Sequence, residues 1–403
     1  MFLIGSPTRW FNKITKLVKQ SNLLKFIFSM IFDNNLIFKE KPTPKPMFSI
    51  KKPSIFQLYQ PTVVALGIGH GFSDAAAGYL MGNLTHQADF SQIGGVVMLY
   101  NVLAFGGQLP AGMWLDRLGR YKEAAIMSLA IMIVALGFSG TNVWLFTVLA
   151  GISSAFFHVA GGGITLMSFP QRASFVGIFS AFGVMGLALG GWAAAMNWVW
   201  VQYILMSGLG MVLLFLGWAN YPSFQKNKTA AKEQPLLDSH DYLMILLLVA
   251  IAMRSAVWNF IQLLYAQQYE WLLYIALAAM VGKLAGGWLT DRIGWRLYTL
   301  TALMIAIPAL TWGYRKLFWL MLGTGLLQSV TPVSVVALQR IFPTLPATVS
   351  GAAFGLAIAL GGVIQLFPAS TDFYFLPQIA LLGLFAWGLY FYAFQIHQTL
   401  YKS

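Results

Sequence analysis

The sequence predicts an all-α integral membrane protein, built from twelve transmembrane helices in two six-helix halves that share one orientation. Three observations predict it: a composition too apolar for one water-soluble core, about a dozen apolar stretches of spanning length, and a charged motif that recurs once at half-chain distance. The chain has 403 residues, 58% hydrophobic and 9% charged, whereas single soluble cores stop growing near ~250–300 residues. Apolar surface on this scale requires lipid as solvent. With no cysteine in the chain, disulfides, thiolate metal sites and a cysteine nucleophile are excluded. Five scattered histidines suggest no metal set, and no cofactor is expected.

Segments of roughly 20 apolar residues, enough to cross ~30 Å of hydrocarbon as helix, can be traced from Pro61 onward. The first half holds them at 60–83, 93–113, 122–140, 143–167, 172–194 and 197–218. The second holds them at 242–264, 270–289, 296–312, 317–339, 347–367 and 374–396. Between the two sets lies the widest polar gap, YPSFQKNKTAAKEQPLLDSH at 221–240, with the composition of a linker. The expected domains are a basic extension (1–55), a half at 56–218, a linker at 219–241, a half at 242–397 and a short tail at 398–403. In the extension, LLKFIFSMIF is too short to span and its flanking lysines are spaced as in an interfacial helix; an alternative start at Met47 would leave residues 1–46 outside the functional protein.

The formal net charge is +13, and its placement explains it without nucleic acid. With the N-terminus set inside, every Lys and Arg falls on the cytoplasmic side except Arg315 and Lys316 opposite, and Arg254 and Lys283 within segments. That bias places both termini and the linker in the cytoplasm of a cell inner membrane.

The charged motif is AGMWLDRLGRYKEA at 111–124, repeated as GGWLTDRIGWR at 286–296, about 175 residues later. A second pair, FPQRASFVGIFSAFGVMGLALGG at 169–191 and FPTLPATVSGAAFGLAIALGG at 342–362, recurs at nearly the same offset. Two six-helix halves in parallel repeat build many secondary transporters, with the solute handled between them near mid-membrane.

From about residue 55 the chain resembles the major facilitator superfamily, on the loop residues Gly112, Asp116, Arg117, Gly119 and Arg120 and their second copy Gly287, Asp291, Arg292 and Gly294. The resemblance implies that Asp116 faces the start of the eleventh helix near Thr348–Ser350, and Asp291 the start of the fifth near Arg172–Ala173, latching the cytoplasmic side in one state. Gly112 and Gly287 admit close helix approach, and each aspartate suits a helix N-terminus. Trp295 replaces the last basic residue of the second copy. Within the superfamily, GHGFSDAAAG (69–78), SSAFFHVAGG (153–162), AMRSAVWNFIQLLY (252–265) and TPVSVVALQRIFP (331–343) resemble the fosmidomycin-resistance group of drug exporters, with Val159 where that group has proline. This implies proton-coupled efflux of a small organic solute, drug or metabolite, by a monomeric antiporter; the alternatives are proton-coupled import, a membrane-embedded enzyme using His70 and Asp74, or a non-transporting sensor.

Charge inside a spanning segment is costly and needs a partner or a wet cavity. His70 and Asp74, four apart in the first segment, share a helix face and are candidate proton carriers. Arg254, in the symmetry-related seventh segment, is expected within reach of Asp74 as a pair that breaks on protonation. His158, Asn101, Gln108, Trp258, Asn259, Gln262, Gln328 and Gln365 are expected to line the solute cavity, with Tyr265 nearby, and Lys283 to snorkel toward the cytoplasm. Gly183, Gly186 and Gly190 on the fifth segment and Gly351, Gly355 and Gly362 on the eleventh make smooth faces, by which these two helices are expected to pack on each other.

Overall fold

A computed structural model of the chain describes residues 55–87, 90–222, 239–362 and 372–400, all within the unit Pro53–Ser403. Almost all of these residues are helical, and none of the described residues is in a strand. The expected N-terminal extension, most of the linker, Gln365 and the last residues of the tail lie outside the described residues.

Twelve spanning helices follow in order among the described residues. The first half has α1 (Ile55–Gly82), α2 (Phe90–Asn101, a π-helical turn Val102–Gly106, then Gln108–Leu118), α3 (Tyr121–Gly137), α4 (Val143–Ser168), α5 (Ala173–Ala195) and α6 (Val201–Trp218). The second has α7 (Ser239–Leu264), α8 (Tyr269–Ile293), α9 (Trp295–Trp312), α10 (Leu317–Ser329 and Thr331–Ile341), α11 (Pro346–Ser350, a π-helical turn Gly351–Leu356, then Ala357–Gly362) and α12 (Asp372–Leu400). Helices suit this solvent because each satisfies its backbone groups internally, where lipid offers no partner. Trp218 and Trp312 stand almost fully exposed on the outer surface, as amphipathic rings at a membrane boundary do.

Two differences from the sequence reading concern where helices end and what they touch. Asp116 and Asp291 are not in loops but in the last turns of α2 and α8. Each helix runs on until a glycine of positive φ, Gly119 (72°) and Gly294 (93°), ends it, because that backbone region strains any other residue. The glycine faces of α5 and α11 do not meet. Gly186 and Gly190 lie against the backbone of Gly71 and Ala75 on α1, while Gly351 and Gly355 lie against Gln108 and Phe105 on α2. Small residues let helices approach, but the register of the bundle chooses the partner: α5 packs on α1 and α8, and α11 on α2 and α7. Among the described residues, a side chain at Gly362 would meet only the Asn259 amide.

The halves therefore meet along α2–α11 and α5–α8. On α2, Gln108, Gly112 and Asp116 recur every four residues on one helix face, and all three touch α11. On α8, Lys283, Gly287 and Asp291 occupy the repeat-related positions and all three touch α5.

Candidate functional site

At one end of this interface each motif aspartate caps a helix of the opposite half. Asp116 accepts from the backbone N–H of Ala347 (3.1 Å) and Thr348 (2.8 Å) and from the Thr348 hydroxyl (2.6 Å), and Tyr121 donates to it as well. Asp291 accepts from the backbone N–H of Ala173 (2.9 Å) and Ser174 (3.0 Å). A carboxylate at a helix start satisfies donors that the helix leaves open and meets the positive end of its dipole. Both contacts need near-touching backbones: a side chain at Gly112 would overlap the Ala347 carbonyl, and one at Gly287 the Ala173 carbonyl. Among the described residues, no hydroxyl donates to Asp291 in the second cap. Beside it, Arg340 stacks on Trp295 and bonds the Gln171 amide (2.8 Å), and Arg292 stacks on Trp288. Arg117 and Arg120 stand exposed at the same end.

Deeper in the bundle, the histidines that looked scattered in sequence converge. His70 Nε2 lies 2.9 Å from His158 Nε2. The Asp74 carboxylate is 3.2 Å from the first and 3.7 Å from the second. Each ring turns its other nitrogen to a backbone carbonyl that can only accept: His70 Nδ1 to Phe179 (2.9 Å) and His158 Nδ1 to Ser154 (2.7 Å). Both Nδ1 atoms must therefore carry hydrogen, which leaves two lone pairs facing each other at Nε2. One additional proton turns that repulsive contact into a charge-assisted hydrogen bond, balanced by Asp74. The three side chains also form a set that could ligate a cation, with ligand atoms within 4.8 Å of one another. Two nitrogens on a tetrahedral ion at about 2.05 Å, however, stand about 3.3 Å apart, so the observed contact fits a proton better. Tyr100, buried, lies within electrostatic reach of Asp74. The side chain of Asp74 keeps 15% of its surface accessible.

A single turn of α5 organises the surroundings. Its Phe179 carbonyl holds His70, its Ser180 carbonyl accepts from Lys283 Nζ (3.1 Å), and Gly183 leaves the space that the His70 ring and Asp74 carboxylate fill. Lys283 thus does not snorkel outward. It crosses to the opposite half because its face of α8 is the one packed on α5.

The expected Asp74–Arg254 pair is not formed. Two histidines engage Asp74, and Arg254 turns within its own half to Gln328 Oε1 (3.3 Å) and Tyr390. Thr331 shares the same Gln328 oxygen (3.2 Å), and Tyr390 and Ser334 bond at 2.7 Å. The residues expected to line a solute cavity are placed as follows. Gln108 is buried at the α2–α11 contact and donates to Ala104 of its own helix. Tyr265 bonds the Tyr314 carbonyl and stacks on Trp271 at the far end of its half. Asn101 is exposed, Trp258 and Gln262 are half-buried, and Asn259 is buried. Tyr100 and Tyr390 were missed; tyrosine in a spanning segment is ordinarily an interface anchor, and nothing in their local sequence separates them from the others.

A family model described as the Major Facilitator Superfamily matches residues 63–366. The chain belongs to the Major Facilitator Superfamily. Among solved structures of that superfamily, it is similar to the fucose:proton symporter FucP of E. coli at 12% identity and TM-score 0.62, covering 83% of this chain and 97% of that one. It is likewise similar to FucP in an outward conformation, at 15% identity and TM-score 0.61 over 82% and 97% of the two chains. A third is the human organic anion transporter TETRAN, at 15% identity and TM-score 0.62 over 86% and 100%. At these identities the likeness shows the fold. No curated protein sequence matches the chain. The chain is a multi-pass integral membrane protein, and its superfamily is one of secondary transporters of small solutes rather than of enzymes.

Proposed function

We propose that this protein is a proton-coupled secondary transporter of a small organic solute working by alternating access, with the His70–Asp74–His158 cluster as the proton-carrying site. The observation that carries the reading is the 2.9 Å Nε2–Nε2 contact between two imidazoles whose Nδ1 atoms are both committed as donors. Such a contact is favourable with one added proton and repulsive without it, so losing the proton drives the rings apart. His158 is also tied to α11 of the other half, because the Ser350 hydroxyl donates to its carbonyl (3.0 Å). Separation of the rings is thereby transmitted to the helix that Asp116 holds. On this reading 56–218 and 242–397 are the rocking halves, 219–241 is the cytoplasmic linker, and the Asp116 and Asp291 caps latch the cytoplasmic side in a plasma-membrane orientation with both termini inside.

Efflux is the direction favoured by the likeness to drug exporters of the fosmidomycin-resistance group. Import with protons is the second reading, supported by the fold likeness to FucP, a fucose:proton symporter. Purified protein in liposomes tests the proposal. A counterflow or toxicity screen over a broad compound panel, run on the intact chain and on one beginning at Met47, identifies a solute that should cross unchanged and accumulate under a pH gradient. A chemically altered product would support the enzyme alternative, and a solute indifferent to the gradient would remove proton coupling.

A further inference from the structure

The second half carries two cations without a carboxylate to balance them. Arg254 is 2% exposed. Its neighbours are the neutral Gln328 and Tyr390, the Gln328 contact is long at 3.3 Å, and its Nε has no hydrogen-bond partner. Lys283, on α8, bonds only the Ser180 carbonyl among the described residues and lies within electrostatic reach of Arg254, so the two repel. Among the described residues, no carboxylate comes within ion-pair distance of either cation. Asp74 feels Lys283 from farther away but is already engaged by the two histidines. Counting one proton on the imidazole pair, the His70–Asp74–His158 cluster is neutral, and among the described residues no carboxylate beside Arg254 and Lys283 balances their two charges.

Packing does not require these charges. Lys283 is the repeat counterpart of Gln108, a neutral amide that fills the equivalent place on α2. The counterpart of Arg254 is near Tyr79, also neutral and buried. The first half thus shows that the fold closes at these two positions without cations. A buried cation lacking an anion is costly in a low-dielectric interior, and a site built to receive one from outside has a reason to keep it. Arg254 offers a planar donor fork with a free Nε, and Lys283 a point charge within electrostatic reach of it.

We propose that the transported solute is an organic anion, whose carboxylate or phosphate-type oxyanion binds between Arg254 and Lys283. This rests on the transport reading above and adds the chemical class of the solute. The 179–183 turn of α5 links this site to the proton cluster, since it holds both His70 and Lys283.

The test uses the full chain in phosphatidylcholine nanodiscs, where no anionic lipid can occupy the site. Thermal stability is measured against succinate, benzoate and methylphosphonate, and against the uncharged succinamide, benzamide and dimethyl methylphosphonate. At least one anion should stabilise the protein while its neutral partner does not. Arg254→Gln or Lys283→Gln should raise the half-saturating concentration about tenfold or more, the loss expected for one charge-assisted hydrogen bond. Without any anion, neither substitution should lower the melting temperature, because no ion pair is broken. Protection by none of the anions, equal protection by the amides or ester, unchanged protection in the double variant, or a marked fall in the unliganded melting temperature of both single variants would each overturn the assignment. Proton coupling is read separately: a neutral solute accumulated under a pH gradient would refute the anion site and leave the proton site standing. An anion that binds here yet ignores the gradient would do the reverse.

Discussion

Replacing Asp116 with asparagine should open the end of the molecule that this residue holds shut. The carboxylate accepts from two backbone N–H groups and one hydroxyl of α11, at 2.6–3.1 Å. Asparagine keeps the shape but loses the charge, and it turns one acceptor into an NH₂ that faces donors. A hydrogen bond to a charged group contributes about 1.5–3 kcal/mol. One such bond lost, with a second weakened, should therefore shift the balance of closed and open states by about 2–3 kcal/mol, or roughly 30- to 150-fold. The absence of native cysteine makes the assay clean. Cysteines introduced at the exposed Leu118 and Leu345, beside the end of α2 and the start of α11, carry spin labels without background. In the parent the distance distribution should be dominated by a short component, and in Asp116→Asn a long component should become substantial. An unchanged distribution in a properly inserted variant would refute the latch.

Other substitutions follow from the same geometry. Asp291→Asn should give a smaller opening, because that carboxylate makes two backbone contacts and no hydroxyl contact; labels spanning the α5–α8 end would report it, and an effect exceeding that of Asp116→Asn would contradict the ranking. Gly183→Ala adds a methyl where the His70 ring and Asp74 carboxylate lie; pH-driven transport in liposomes should be lost while the amount of inserted protein changes little. Gly186→Ala instead collides with the Gly71 backbone, and overpacking of about 1–3 kcal/mol should appear as a lower melting temperature. Ser350→Ala removes the hydroxyl held by the His158 carbonyl, and should weaken the dependence of latch opening on pH in the spin-label assay while leaving Asp116 in place.

Much of this architecture was legible because its signals are local. Spanning length, the linker and the doubled motif each lie within a short stretch of chain, and a helix N-terminus opposite each aspartate follows from a doubled motif and a family arrangement. The burial of Lys283 was legible too, although unread: Lys283, Gly287 and Asp291 are spaced by four, so the helix face that puts Asp291 on α5 must put Lys283 there as well. What the sequence did not reveal depends on the rotation of one helix against another. His158 joins His70 and Asp74 only through the register of α4 on α1. Arg254 and Asp74, each costly alone, looked like mutual partners. The bundle instead offered Asp74 two nearer histidines, and offered Arg254 the neutral Gln328 and Tyr390. Glycines on α5 and α11 announced close packing without naming the partner, since any backbone can approach a smooth face.

The central claim is that a proton held by His70, His158 and Asp74 drives the transport cycle, and one comparison tests it most directly. Asp74→Asn, reconstituted in liposomes beside the parent, is assayed for solute accumulation under an imposed pH gradient and for solute exchange at equal pH on both sides. Without the carboxylate that balances it, the shared proton is no longer held. The variant should therefore lose gradient-driven accumulation while exchange at equal pH continues. Undiminished accumulation by Asp74→Asn would contradict the account.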